Sequence, residues 1–227
     1  MHRSSEWKKI WEKRTFDKDV SLLYASGFEM MSDDDWDRMV GCFLKVIDYN
    51  DAKKIVDIGC GSGAFLNAIK KKIPSIGLSG CDISSSSIDI ASSRLEGEFK
   101  ISDASVTIDS FVESFDIVSS FSVFQYFDSY NMARIVLKNM LSYIRGDGVL
   151  FVGDIPDLSV KNDDIKQRDS DGRKKSDHFY YGREFFTFFA LDNKLSMKLY
   201  YHDEMELPVS FPNKKFRYSI IMRKQNE

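Results

Sequence analysis

The clearest chemistry in this chain of 227 residues lies in the run Ile55-Val56-Asp57-Ile58-Gly59-Cys60-Gly61-Ser62-Gly63-Ala64-Phe65-Leu66. An apolar, β-branched stretch ends near an acid. Three glycines at alternate positions then lead into an apolar helical pattern. Glycine takes backbone angles that a Cβ forbids, and it lets a ligand approach the main chain closely. Asp57 supplies an acceptor where the turn begins. A strand, a glycine turn and a helix start of this kind hold a nucleotide-like ligand. Gly59, Gly61 and Ala64 also meet the looser dinucleotide pattern, so the loop alone leaves the ligand open.

Three further segments narrow it. Ser79-Gly80-Cys81-Asp82 closes a second apolar run. Asp82 lies about twenty residues beyond the glycines, where a carboxylate suits the two hydroxyls of a ribose. Ile101-Ser102-Asp103-Ala104 closes a third run with another acid, and Phe115 to Phe121 reads as a fourth strand. Acids after consecutive strands line one edge of a parallel sheet, which is where open α/β sheets bind ligands.

In chain order the segments VDIGCGSGAF, GCDIS, SDA, FDIVSSFSVFQYF and IRGDGVLFVGD resemble the class I S-adenosylmethionine-dependent methyltransferases. The resemblance runs from about Lys53 to Asp154. It implies that Gly59, Gly61 and Gly63, with Cys60 between them, pass beside the methionine part of S-adenosyl-L-methionine. Asp57 would lie near the amino group. Asp82, followed by Ile83, would hold the ribose, and Asp103 with Ala104 would read the adenine edge. Phe121 stands where the family packs a residue against the cofactor. The implied activity is methyl transfer to a small-molecule acceptor, with S-adenosyl-L-homocysteine as product.

The elements that must position these residues follow from the hydrophobic pattern. Residues 1–50 read as an N-terminal helical cap and 51–227 as one cofactor-binding unit. In the cap, Ser5 can start a short helix bearing Trp7, Ile10 and Trp11, and a second apolar piece covers about 19–26. Ser32 before Asp33, Asp34 and Asp35 is a strong helix start. That helix would run to about Tyr49 and bury Trp36, Met39, Val40, Phe43, Leu44 and Ile47. Strands are expected at 54–58, 76–81, 98–102, 115–119 and 148–153, with helices at 63–72, 85–95 and 128–143. A helix near 182–191 and strands near 195–202 and 215–223 finish the chain. Such alternation predicts an α/β fold: a seven-stranded, mostly parallel Rossmann-like sheet with helices on both faces. The resemblance adds an antiparallel last strand. The polar stretch from Asp157 to Asp177 reads as a mobile loop that closes over the acceptor.

Composition bounds the class. Hydrophobic residues make up 43% of the chain, enough for a packed core, and the net charge of −3 gives no broad attraction to nucleic acid or an anionic membrane. No run of 18 apolar residues and no secretory leader is evident. Cys42, Cys60 and Cys81 are odd in number and scattered, as reduced cytosolic thiols are. A cytoplasmic protein is therefore expected, with no nucleic-acid or membrane partner and an open oligomeric state.

A hydroxyl acceptor needs its proton removed. Three groups could take it. The first is His178, beside Phe179, Tyr180 and Tyr181; next come Asp154 at the end of the fifth strand and Tyr126 after the fourth. After that fourth strand the chain lacks the Asn/Asp-Pro-Pro-aromatic motif of enzymes that methylate planar nitrogens of bases. No acidic trio with an asparagine has the spacing of the metal-dependent catechol type, so no metal is assigned. Trp7, Trp11, Phe124 to Phe127 and the aromatic segment from Asp177 to Phe189 can wall an acceptor pocket. The aromatic N-terminal helix and Gly-Asp-Ile-Pro also resemble bacterial surface-polysaccharide pathway methyltransferases, which points to a sugar or sugar-linked acceptor. Two other classes stay open on the residues: an NAD-dependent oxidoreductase on a Rossmann sheet, and a non-catalytic cofactor-binding protein of the same fold.

Overall fold

A computed structural model describes residues 3–14, 20–48, 51–172 and 178–225. Among the described residues three helices precede the sheet: α1 (Arg3–Arg14), α2 (Leu22–Ala25) and α3 (Asp33–Ile47). α1 begins ahead of the expected start, so Ser5 lies within its first turn. The start of α3 is as its sequence predicts. The Ser32 hydroxyl accepts the Asp35 N–H at 3.2 Å, and three aspartates sit at the positive end of the helix dipole. Trp36, Met39, Val40, Phe43 and Ile47 turn inward at helical spacing, while Leu44 is half-buried. Asp48 ends the helix in a left-handed conformation, and Tyr49 lies outside the described residues.

Strands and helices then alternate: β1 (Lys54–Ile58), α4 (Ala64–Lys72), β2 (Gly77–Asp82), α5 (Ser85–Arg94), β3 (Gly97–Ile101), β4 (Phe115–Phe121), α6 (Tyr130–Tyr143) and β5 (Ile144–Pro156). They are followed by α7 (Lys161–Ser170), α8 (Arg183–Asp192), β6 (Leu195–Tyr201) and β7 (Arg217–Lys224). The sheet order is β3-β2-β1-β4-β5-β7-β6. β7 runs antiparallel to β5 and β6, and the other pairs are parallel. This is the seven-stranded, Rossmann-like architecture expected from the sequence.

Both faces of the sheet are covered, so the central strands alternate between two cores rather than between core and water. Ile55, Ile117, Val149 and Phe151 pack toward α3 and α4. Val56, Val118, Leu150 and Val152 pack toward α6 and α8. β4 is buried along its whole length. Its two central hydroxyls are satisfied sideways: Ser119 donates to Asp57 Oδ1 at 2.7 Å and Ser120 to the Ile58 carbonyl at 2.8 Å.

The polar stretch after β5 departs from expectation. The sequence predicts a mobile loop, yet residues 158–160 form a 3₁₀ turn and α7 follows. Asp164, fully buried, accepts from Arg168 Nε at 2.8 Å and from the Tyr180 hydroxyl at 2.7 Å. The i,i+4 Asp–Arg pair gains its worth from a tyrosine that only the fold brings near. Residues 173–177 of the same stretch lie outside the described residues. No described helix is long and apolar enough to cross a membrane.

Candidate functional site

Strand order reverses between β1 and β4, and a cleft opens beyond the C-terminal ends of the strands there. Its wall includes Asp57, Gly59, Cys60, Gly61, Asp82, Ile83, Asp103, Ala104, Phe121 and Tyr126. The structure therefore brings together nearly all the residues singled out from the sequence. Gly63, Asp154 and His178 are not on that wall.

The two wall glycines differ. Gly59 has φ +77°, and a Cβ there would stand 2.5 Å from Val123 Cγ2, so the turn after β4 packs directly on the loop. Gly61 has φ +53°, and a Cβ there would meet only Ser26 Oγ, at 3.9 Å. The approach to the Gly61 backbone is open to a ligand. Gly63 instead faces Leu95, where a Cβ would come within 2.5 Å of Cδ1. It serves the packing of α4 on the end of α5.

Both Asp82 oxygens hold the loop: Oδ2 accepts the Gly61 N–H at 2.9 Å and Oδ1 the Ser84 N–H at 2.8 Å. The Ile83 N–H is also directed at this carboxylate, and of its roughly four acceptor sites one is left for a hydroxyl. Burial raises the Asp82 carboxyl above its ordinary range, opposed by the backbone bonds. Asp57 lies deeper. Burial pushes it up to about 7 against the Ser119 hydrogen bond, and the neighbouring Asp82 adds to the rise. An ammonium placed beside it would find a partner that ionises readily. Asp103 Oδ1 closes a turn onto Ser105 at 2.8 Å, and Asn139 donates to the Ala104 carbonyl at 3.0 Å. Asp57, Asp82, Asp103 and the bare Gly61 backbone can thus hold a ligand bearing an ammonium, a ribose and a base. Among the described residues no three His, Cys, Asp or Glu side chains gather as a metal site.

The other half of the cleft is aromatic. α1 lies across it and contributes Trp7, Lys8 and Trp11. Trp7 packs on Tyr126 with ring centroids 4.5 Å apart, and Trp11 meets the same ring edge-on at 5.8 Å. Burial pushes the Tyr126 phenol up to about 12, partly offset by the Gln125 side chain. At neutral pH it is a donor and not a base. His178 sits one ring behind the wall, 5.8 Å from Trp7 and 5.7 Å from Tyr126 by centroids. Asp154 is buried behind Ser122, whose hydroxyl donates to its Oδ2 at 2.7 Å.

Several wall residues carried no sequence signal. Trp36 reaches the cleft from α3, its indole N–H held by the Ala64 carbonyl at 3.1 Å. Ser26 follows α2 and bonds Ser62 of the glycine loop at 2.9 Å. Ser122 is one ordinary serine among several. Only its left-handed φ of +60°, a property of the folded chain, sets it apart.

Residues 56–150 match the family model for a methyltransferase domain. No curated protein matches the chain. Solved structures share its fold across nearly its full length. The plantazolicin methyltransferase BpumL in complex with S-adenosylhomocysteine aligns with TM-score 0.63 at 15% identity, covering 97% of this chain and 96% of that one. The N-methyltransferase NodS from Bradyrhizobium japonicum WM9, also with S-adenosylhomocysteine, gives 0.64 at 16%, covering 96% and 98%. Phosphoethanolamine N-methyltransferase 1 of Haemonchus contortus gives 0.69 at 16%, covering 99% of this chain and 49% of that one. The chain thus carries a match to a methyltransferase domain over residues 56–150, on a fold that it shares with solved methyltransferases.

Proposed function

We propose that the chain transfers a methyl group from S-adenosyl-L-methionine to a hydroxyl of a small acceptor, a sugar or sugar-linked metabolite. The supporting observation is one continuous cleft that carries the glycine loop and three acids at one end and Trp7, Trp11 and Tyr126 at the other. When bound, the cofactor supplies an electrophilic methyl on a sulfonium and departs as a neutral thioether. The protein supplies geometry, which is worth roughly 7–11 kcal/mol when two reacting centres are held in line.

In this reading Asp57 faces the ammonium of the cofactor, and Gly59, Cys60 and Gly61 line its methionine arm. Asp82 accepts from the ribose hydroxyls, with Ile83 beside it, while Asp103 and Ala104 border the base. Gly63 acts at second hand, by seating the helix whose N-terminus faces the ligand. Phe121, stacked on Phe65 at 4.8 Å, stiffens the floor. Flat aromatic faces suit the C–H faces of a sugar ring, and the protonated Tyr126 hydroxyl can donate to it. Two groups are proposed for the acceptor's proton: His178 behind the aromatic wall, and Asp154 behind Ser122. Cap and sheet work as one unit here, because α1 closes a cleft whose floor belongs to the sheet.

Calorimetric titration tests the cofactor assignment. Asp82→Ala should lower affinity for S-adenosylhomocysteine at least tenfold, since hydrogen bonds to a charged group are each worth roughly 1.5–3 kcal/mol. Unchanged affinity in a folded variant would remove Asp82 from the site. Tight binding of NAD in place of S-adenosylhomocysteine by the unmodified protein would favour the oxidoreductase. For the acceptor, transfer of labelled methyl to amines but never to sugars would sink the hydroxyl reading.

A further inference from the structure

The turn after β4 and the bulge in β5 form one buried device behind the cleft. Two non-glycine residues there hold left-handed backbone angles, Ser122 at φ +60° and Asp154 at φ +59°. Such angles are uncommon outside glycine and concentrate at functional sites. The bulge is real: the pairing of β5 with β7 shifts between Val152 and Ile155, which turns Asp154 toward β4. Ser122 N–H donates to the Gly153 carbonyl at 3.0 Å, and Ser122 Oγ–H donates to Asp154 Oδ2 at 2.7 Å. Gln125 Nε2 donates to Ser122 Oγ at 3.0 Å, while its Oε1 accepts from an Arg217 terminal nitrogen at 2.8 Å. Arg217 Nε stands 3.8 Å from Asp154 Oδ1.

This bonding leaves Ser122 Oγ in a defined state. Its hydrogen points at the carboxylate, one lone pair takes Gln125, and the second lone pair remains. Ser122 lines the cleft and Asp154 does not. Ser122 also directly follows Phe121, whose backbone N–H bonds Asp57, and precedes Val123, which packs on Gly59. It therefore borders the end of the site assigned above to the methionine arm.

The geometry points to Ser122 as the residue that touches the acceptor's attacking group, with Asp154 behind it as the final holder of the proton. The inference rests on the methyl-transfer reading. As the acceptor oxygen attacks, its proton passes to Ser122 Oγ, and the proton of Ser122 passes to Asp154 Oδ2. The oxygen keeps the electron pair that forms the new bond. Serine ends the step unchanged, and the carboxylate ends it as a carboxylic acid. Around Asp154 burial raises the carboxyl above the ordinary range, while Arg217, the Ser122 bond and Arg168 act to lower it. Asp164 of α7 opposes them. His178 then only backs Tyr126 from behind the wall.

The test needs no acceptor. Sinefungin carries an amine where the cofactor carries its methyl, and S-adenosylhomocysteine carries nothing there. The sinefungin ammonium should donate toward the Ser122–Asp154 pair, so the wild-type protein should prefer sinefungin. Asp154→Asn and Ser122→Gly should each lower that preference about tenfold or more, with S-adenosylhomocysteine affinity held within twofold (~1.4 kcal/mol for a factor of ten). Glycine suits the left-handed position, so the second variant removes the hydroxyl without backbone strain. If both folded variants keep the full preference, the inference is wrong. The same holds if His178→Ala alone abolishes it. Failure of either ligand to bind the wild-type protein would instead overturn the methyl-transfer reading itself.

Discussion

At the scale of single residues, Asp57 sets stability against the role proposed for it. Its carboxyl rises from the ordinary 3.8 to about 7 in the fold, because burial disfavours the charge. A raised acid stabilises the fold while it is protonated in the folded state. That contribution is full below the unfolded value and is lost as pH rises toward 7. The ligand-free protein at pH 8 therefore holds a buried charge at a cost. Asp57→Asn keeps an oxygen for Ser119 and Phe121 and removes that charge. Its melting temperature at pH 8 should rise by several degrees, at about 2–4 °C per kcal/mol for a chain of this size. On the proposed reading its affinity for S-adenosylhomocysteine should fall, because the ammonium would lose its counter-charge. A lower melting temperature at pH 8 would show that Asp57 is ionised at no cost.

At the scale of elements, α7 is held in place by tertiary contacts. The helix is polar, and isolated ten-residue helices are marginal in water. Its anchor is Asp164, buried between Arg168 and Tyr180. Removing one member of a buried ion pair costs roughly 3–5 kcal/mol. Asp164→Ala should release α7 locally, with fast amide exchange across residues 161–170 and protection retained in β1 and β4. Slow exchange in the variant would mean that other contacts hold the helix. The helical pattern was poorly legible here, since Lys, Asn, Asp and Gln carry no apolar stripe. The aromatic helix α1 was easier to see, because Trp7 and Trp11 fall at i,i+4. That both pack on Tyr126 at the cleft could not be read from spacing.

At the scale of the molecule, His202 reports on the integrity of the whole core. It follows β6 and is fully buried, with its Nε2 2.7 Å from the Ser219 hydroxyl and its ring between Phe43 and Phe211. Burial, helped by Arg217, lowers it from 6.5 to about 3. A depressed histidine is neutral in the fold and charges more readily when unfolded. Its stabilising share is full above pH 6.5 and is lost as pH falls toward 3. Asp57 acts in the opposite sense over part of that window. Replacing His202 by Gln should flatten the fall in melting temperature between pH 6.5 and 4. An equally steep fall would place the acid sensitivity elsewhere.

The local chemistry of the ligand end was determined by the sequence. A β-branched run, glycines at 59, 61 and 63, and acids at strand ends can be read without a fold, because strands and glycine turns are set by neighbours a few residues away. The strand-helix alternation likewise predicts a parallel sheet, since each helix must return the chain to the same edge. Tertiary structure decided what lies far apart in sequence. It put Asp57, Asp82, Asp103 and Tyr126 on one wall, turned Gly63 away toward Leu95, and set His178 one ring behind the cleft. It also joined Ser122 to Asp154 across two strands, through a bulge and two left-handed residues. No spacing rule foretells such a pair, because its geometry depends on the register of β4, β5 and β7 together.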